Sequence, residues 1–493
     1  MTQEIDRSVP QVHLHIGDRK LTSGSGGSHD RINPSTGQVD GQIPLAGEAE
    51  IDEAVRVAHE AFQTWKKTPP TERRRLLLKL ADLIDERGPD LGRLSTIDTG
   101  MKYMPNAGLA AEWTRYFAGW ADKLSSDVVG TVTANGEFSY TLGQPYGVIG
   151  AIVTWNGPTG GIAMKVPAAL AAGNTVVIKP PEITPYSPEL FMDLVREAGF
   201  PPGVINLLPG NAQAGAALVA HPLVQKVTFT GGPVTATRIL ESCAKTMKPA
   251  VLELGGKSAN LIFEDADLDT ACVHGAILSV GFLSGQGCSF PTRMLVHRSR
   301  YDEVIERVSA VAKSFVVGDP FDQQTLLGPV ISQAAVDRVM GIIERAPAEG
   351  ARLVLGGTRL GGDLAEGYFI EPTIFADVDP QSELAQGEVF GPVLAITPFD
   401  TEEEAVEIAN STPYGLAAYI HTKDLVRAHR VAEDLFAGDI MINGASNLYV
   451  NRPFGGFGLS GYGKEGGRRG LEEFLRVKGV GIGAKAGGDG GFL

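Results

Sequence analysis

YGVIGAIVTW, residues 146–155, opens the series that decides the fold. The run is short and apolar, it ends in Trp155 before Asn156, and an alanine-rich helical segment follows as far as Gly173. NTVVIKP then leads into SPELFMDLVREAG, GVINLLPG into NAQAGAALVAHP, and VQKVTFTGG into VTATRILESCAKTM; PAVLELGG closes the series. Short apolar strands that alternate with helical segments indicate a parallel sheet with right-handed crossovers. Ligands on such sheets gather beyond the carboxyl ends of the strands. Those ends carry Trp155 and Asn156, Lys179, Gly231 and Gly232, and Glu253.

On the N-terminal side, residues 1–50 read as short strands and turns, with a flexible SGSGGS patch at 23–28 and a turn at NPSTG (33–37). AEIDEAVRVAHEAFQTWKK (48–67) places Ile51, Val55, Ala58 and Phe62 at helical spacing. ERRRLLLKLADLIDERGPDLGRLSTIDTG reads as two helices broken near Gly88-Pro89, and Arg73–Arg75 reads as a solvated helix face. GTVTANGEFSYTL (130–142) alternates apolar and polar residues around Asn135-Gly136, a hairpin signal because a type I′ turn needs positive φ twice. Such a ribbon is an oligomer contact or a plain surface feature.

On the C-terminal side a second strand-and-helix series occupies roughly 256–457, without tandem repeats. Its clearest pieces are MLVHRSRYDEVIERVSAVAKSF, SQAAVDRVMGIIERA, FGPVLAITPF and DLVRAHRVAEDL. FLRVKGVGIG (474–483) offers an edge strand to a partner, and the glycine-rich AKAGGDGGFL is expected to be mobile.

A chain of 493 residues suggests two or three domains. A net charge of −15 disfavours sequence-independent nucleic-acid binding, which needs a basic surface. Three cysteines (Cys243, Cys272 and Cys288) in so long a chain argue against a disulfide scaffold. MTQEIDRSVP lacks an apolar signal core. No uninterrupted apolar stretch reads as long enough to span a bilayer. The expectation is a soluble, cytoplasmic protein that handles small molecules, with no nucleic acid and no membrane among its partners.

Two overlapping G-x-G-x-x-G matches, GFGLSG (456–461) and GYGKEG (461–466), read as decoys. The true fingerprint follows a strand and opens a helix, and these follow VNRPFG. FTGGPVTAT (229–237) is the better phosphate site, because a strand there ends in two glycines and a helix begins, offering free N–H groups and a favourable dipole. GFLSGQGCSF (281–290) sets one cysteine, Cys288, between Gly287 and Ser289. A lone cysteine is usually a small buried hydrophobe, so its surroundings alone leave packing and chemistry both open.

Taken together, TWNGP (154–158), VIKPPE (177–182), GFPPGVINLLPG (199–210), FTGG (229–232), LELGGKS (252–258), GQGC (285–288), EVFGP (388–392), PYGL (413–416) and PFGGFGLSGYGKEGG (453–467) resemble the aldehyde dehydrogenase superfamily of the NAD(P)-dependent, non-acylating kind. The resemblance covers nearly the whole chain. It implies an α/β fold: a Rossmann-like dinucleotide-binding domain from residues 1–125 and 146–255, an α/β catalytic domain at 256–457, and a small β oligomerisation element from 126–145 and 458–493. It also implies a homodimer or homotetramer, and cofactor binding without a G-x-G-x-x-G loop.

Carried over residue by residue, the resemblance makes Cys288 the nucleophile, since a thiolate adds to an aldehyde carbon and later leaves a thioester as sulfur. Asn156 becomes the oxyanion donor and Glu253 the general base. Lys179 and Glu182 would reach the adenosine ribose, where a carboxylate accepts from free hydroxyls and repels a 2′-phosphate, so NAD is expected over NADP. Glu388 would hold the nicotinamide ribose with Phe390 beside the ring. Val153, Trp155 and Leu254 would line the cleft, and Gly231 and Gly232 would receive the phosphates. No metal is implied. Gly232 departs from the family's usual serine and Gln386-Gly387 from its usual acidic pair, which puts cofactor affinity in question. For the substrate, Gly157 stands where many relatives carry an aromatic ring, and Gly160, Met164, Phe282, Leu448 and Phe454 complete a roomy, apolar wall that suits bulky aldehydes. Arg452 leaves an acidic semialdehyde open as an alternative. A CoA-acylating enzyme is disfavoured by Glu253, and a catalytically silent relative by the intact Asn156, Glu253 and Cys288 set.

Overall fold

Aliphatic runs build the first sheet. Val148–Ile152 (β1), Thr175–Lys179 (β2), Ile205–Leu207 (β3), Val224–Gly231 (β4) and Ala250–Leu254 (β5) lie parallel in the order β3-β2-β1-β4-β5. β1, β2 and β5 are buried along their whole length, which explains continuous apolar runs in place of alternation. Helices Pro158–Ala171 (α1), Tyr186–Ala198 (α2), Ala212–Ala220 (α3) and Pro233–Ala244 (α4) make the crossovers. The strand order reverses between β1 and β4, where a doubly wound sheet opens its ligand crevice. Short antiparallel strands extend both sides: Leu14–Ile16 beside β3, followed by Arg19–Leu21 at the edge, and Gly461–Tyr462 beside β5. These features belong to a computed structural model that describes residues 5–130, 138–446 and 448–483. Asn135-Gly136 and AKAGGDGGFL lie outside the described residues.

Ala259–Ile262 (β6), Arg293–His297 (β7), Thr373–Ala376 (β8), Val393–Phe399 (β9), Ala417–His421 (β10) and Asp439–Ile442 (β11) form a second sheet in the order β8-β9-β7-β6-β10-β11, all parallel. Arg352–Leu355 adds an antiparallel edge beside β8. Leu268–Ala276 (α5) runs from β6 toward Cys288. In a third, antiparallel sheet Leu475–Ile482 pairs with Phe138–Pro145, which pairs with Val128–Gly130.

Three expectations are corrected. The SGSGGS patch is packed: Gly26 N–H donates to Leu45 O (3.1 Å), and a Cβ on Gly24 would collide with the same carbonyl. Its glycines are there for close backbone approach. Arg73 is buried, donating to Ala171 O (3.2 Å) and Thr68 O (2.8 Å), so only Arg74 and Arg75 form the solvated face, paired to Asp122 and Glu72. Leu268–Gly285 has the length and mean hydropathy, 1.3, of a membrane-crossing helix. Its α-helical part ends at Ala276, and α5 packs Leu268, Ala271, Cys272 and Ala276 into the core of the second sheet.

Candidate active site

Beyond α5 the backbone widens into a π turn at Ile277–Gly281. A tight turn follows, with Leu283 at φ 50° and Ser284 at φ 51°. Left-handed non-glycine residues are costly and cluster at functional sites. Neighbours hold this turn: Ser284 Oγ donates to Gly328 O (2.7 Å), Gln286 Nε2 to Leu283 O (3.0 Å), and Ile331 N–H to Gln286 Oε1 (2.9 Å). Gly285 is required by its φ of 72° and by the carbonyl of Gly391, against which a Cβ would collide. The GQGC loop thus delivers Cys288 in one fixed pose.

Glu253 lies on β5, in register with Thr230 of β4 on one side and Gly461 on the other. It is 3% exposed. Glu253 and Cys288 line the same cleft, and Glu253 Oε1 has no hydrogen-bond partner among the described residues. Burial pushes the Glu253 carboxyl up to about 8; the Glu465 carboxylate adds to the rise, and Lys165 and the Cys288 thiol oppose it. Burial, then the Glu253 and Glu388 charges, push the Cys288 thiol well above its ordinary value. Lys165 of α1 forms a buried ion pair with Glu465 and reaches Thr228 Oγ1 at 3.2 Å. Asn156, just past β1, donates from Nδ2 to Gln286 O (2.8 Å), and its Oδ1 accepts from Thr154 Oγ1 (2.9 Å). These bonds orient the amide beside the Cys288 loop.

The first sheet's strand ends carry the expected cofactor residues. Gly232 caps α4 without a side-chain bond and Pro233 takes the first turn, where its missing N–H is not needed. A Cβ on Gly232 would meet nothing within 4 Å, so the cradle is open, whereas one on Gly231 would collide with the Phe229 ring. Lys179 Nζ lies 3.9 Å from Glu182 Oε2, and burial lowers its pKa. Gly256 N–H donates to Glu388 Oε1 (2.9 Å), and burial pushes that carboxyl up to about 7. Phe390 sits at φ 51° with its ring edge-on to Trp155, 5.4 Å between centroids. Val153 and Leu254 are buried; their N–H groups donate to Lys179 O (3.2 Å) and Ser460 O (3.2 Å). The open helix end, the Lys179 ammonium and the Glu182 and Glu388 carboxylates fit a dinucleotide's phosphates and ribose hydroxyls.

Cys288, Glu253 and Asn156 share one predominantly apolar chamber of about 400 Å³ with Gly157, Gly160, Met164, Phe282, Leu448 and Phe454. A Cβ on Gly157 or Gly160 would meet nothing within 4 Å. Met101, Met104, Leu109, Trp113 and Glu465 also line the chamber and escaped sequence reading. The loop at 100–109 has no periodicity to read. Glu465 lies within the second glycine match; this segment's work is packing, since a Cβ on Gly461 (φ 96°) would collide with Leu252 O of β5. Arg452 does not line the chamber. Its guanidinium bonds Asp439 (3.0 Å) and Ser446 O (3.0 Å) and stacks over Tyr449, so it is not a free anchor for an acidic substrate.

Residues 21–480 match the model of the aldehyde dehydrogenase family. An aldehyde dehydrogenase-like protein of Schizosaccharomyces pombe is 44% identical over 459 residues, covering 92% of each chain. Aldehyde dehydrogenase [NAD(P)+] 1 of Saccharomyces cerevisiae is 41% identical over 499 residues, covering 97% of this chain and 98% of its own. The NAD+ complex of aldehyde dehydrogenase from Bacillus cereus superposes with a TM-score of 0.93 at 38% identity, covering 97% of both chains.

Proposed function

The chain belongs to the aldehyde dehydrogenase family, and from that premise and the cleft geometry we propose that it oxidises bulky, apolar aldehydes to carboxylic acids with NAD, through a covalent intermediate on Cys288. The general reaction, NAD(P)-dependent aldehyde oxidation, comes with the family. The observation that carries the mechanism is the convergence of Cys288, Asn156 and the buried Glu253 carboxyl on that one chamber.

In this reading Glu253 takes the thiol proton as sulfur bonds to the aldehyde carbon. The carbonyl oxygen becomes negative beside Asn156 Nδ2 and the Cys288 N–H, donors that stabilise such charge. A nicotinamide held by Glu388 and Phe390 would supply the hydride acceptor, and loss of hydride from that carbon leaves a thioester on Cys288. Glu253, having lost its proton toward the Lys165–Glu465 pair and solvent, takes a second proton from the water that attacks the thioester. The carbon–sulfur bond breaks, and sulfur leaves as thiolate. NAD is favoured over NADP because the Glu182 carboxylate, near Lys179 at the end of β2, suits free ribose hydroxyls and repels a phosphate. The exposed edge strand Leu475–Ile482 supports a homodimer or homotetramer.

The decisive assay mixes enzyme, NAD and a graded aldehyde panel and follows reduced cofactor by absorbance. Turnover is expected to favour ring-bearing or branched aldehydes over acetaldehyde by at least about tenfold in kcat/KM. Cys288→Ala is expected to abolish turnover while NAD binding survives in calorimetry. Turnover by that variant, or a preference for small aldehydes, would overturn the corresponding half of the reading.

A further inference from the structure

We infer that Tyr419 is a positioning residue for Cys288: its hydroxyl, reaching from the second sheet, grips the Ser289 carbonyl just past the cysteine, as Asn156 grips the Gln286 carbonyl just before it. The inference rests on the nucleophile role proposed above for Cys288.

Tyr419 is the middle residue of β10, in register with Asn260 of β6 and Met441 of β11. It is fully buried. A phenol placed in the middle of a sheet is costly unless its hydroxyl finds a partner. Here Oη donates to Ser289 O at 3.0 Å, out of contact with water. Ser289 follows Cys288 directly, and both line the chamber. On the other side of the cysteine, Asn156 Nδ2 donates to Gln286 O (2.8 Å). The two gripped carbonyls therefore bracket Cys288, and the donors come from different sheets. Between them the carbonyl of Cys288 itself lies against Gly256, where a Cβ would stand 2.5 Å from the oxygen. A chain held this closely leaves its side chain little room to drift, which is what a preorganised nucleophile requires.

The Tyr419 ring has a second task that must be told apart from the hydroxyl's. Leu278, in the π turn, packs against the cluster of Ala417, Tyr419 and Met441 and also lines the chamber. Ring and hydroxyl are separable, because phenylalanine keeps the ring and its packing and removes the donor alone. Without that donor the Ser289 carbonyl loses its grip on the second sheet, and the sulfur loses its fixed distance from an incoming aldehyde carbon. Reacting atoms must meet at about 3 to 3.5 Å, so a small drift of sulfur slows the reaction. Tyr419 itself does not line the chamber, so the loss falls on the chemical step and not on aldehyde binding.

The test follows formation of reduced cofactor from NAD and benzaldehyde by stopped-flow absorbance in wild type, Tyr419→Phe, Met441→Leu and Cys288→Ala. Tyr419→Phe is expected to lower the first-turnover rate and kcat about tenfold, while the aldehyde KM and the calorimetric Kd for NAD stay within about twofold of wild type. Met441→Leu disturbs the same apolar cluster but leaves the hydroxyl, and is expected to keep the wild-type first-turnover rate. A wild-type rate in Tyr419→Phe with a lowered Tm would mean packing alone and overturn the inference. So would an equal slowing in Met441→Leu, or a loss in Tyr419→Phe carried by KM alone. Turnover by Cys288→Ala would overturn the nucleophile reading itself, a result distinct from these.

Discussion

A carboxyl group that titrates near 8 is mostly protonated at pH 7, and that sets how Glu253 can work. As a base it gains strength as pH rises through about 8. The wild-type rate should therefore climb between pH 7 and 9. Glu253→Gln should lose that climb and give a burst of reduced cofactor followed by turnover lowered about 100-fold or more, seen by stopped-flow absorbance. Stability responds with the opposite sign. The folded pKa stands above the unfolded 4.5, so between about 4.5 and 8 the native protein holds a proton that the unfolded chain releases. That contribution favours folding at low pH and is lost as pH rises through this window. Glu253→Gln removes the loss, and calorimetry should show a Tm about 2 °C higher than wild type at pH 8 and an unchanged one at pH 4. At this scale the motifs singled out Cys288, Glu253 and Asn156, and the fold sets all three on one chamber. Lys165 and Glu465 were not singled out, because nothing in the chain order hints that α1 and the segment past Gly461 meet under β5.

Elements succeed or fail on what their periodicity reports. The parallel strands were readable because burial on both faces writes continuous apolar runs into the sequence. The π turn at Ile277–Gly281 was not, since one widened turn leaves the apolar pattern of Leu268–Gly285 intact. Glycine-rich composition misled at SGSGGS, because close packing and flexibility call for the same residue. For the GQGC loop, Gly285→Ala sets a Cβ against the Gly391 carbonyl at φ 72°. It is expected to cost about 2 kcal/mol or more in urea unfolding and to displace Cys288 enough to cut activity at least about tenfold. For the chamber wall, Gly157→Phe has free space to enter. Side-by-side kcat/KM values should show preference swinging from ring-bearing aldehydes toward short linear ones by about tenfold or more.

Across the molecule, the chamber lies where parts of different origin face one another: strand ends of the first sheet supply Asn156 and Glu253, and the loop that follows α5 supplies Cys288. The third sheet presents Leu475–Ile482 as an edge strand, paired on one side among the described residues, with Val477 73% exposed. If copies assemble through it, Val477→Glu should shift light-scattering mass toward the monomer, as a charge on an edge strand opposes pairing. A different consequence follows from Gly461–Tyr462 closing the outer edge of β5. A polypeptide still emerging from the ribosome can finish its first sheet except for that last ribbon, so the acid–base partner of the thiol is locked in place only when synthesis is nearly done. A product cut short before residue 461 would keep its cysteine yet lack both the ribbon and Glu465, and should leave that sulfur chemically untuned.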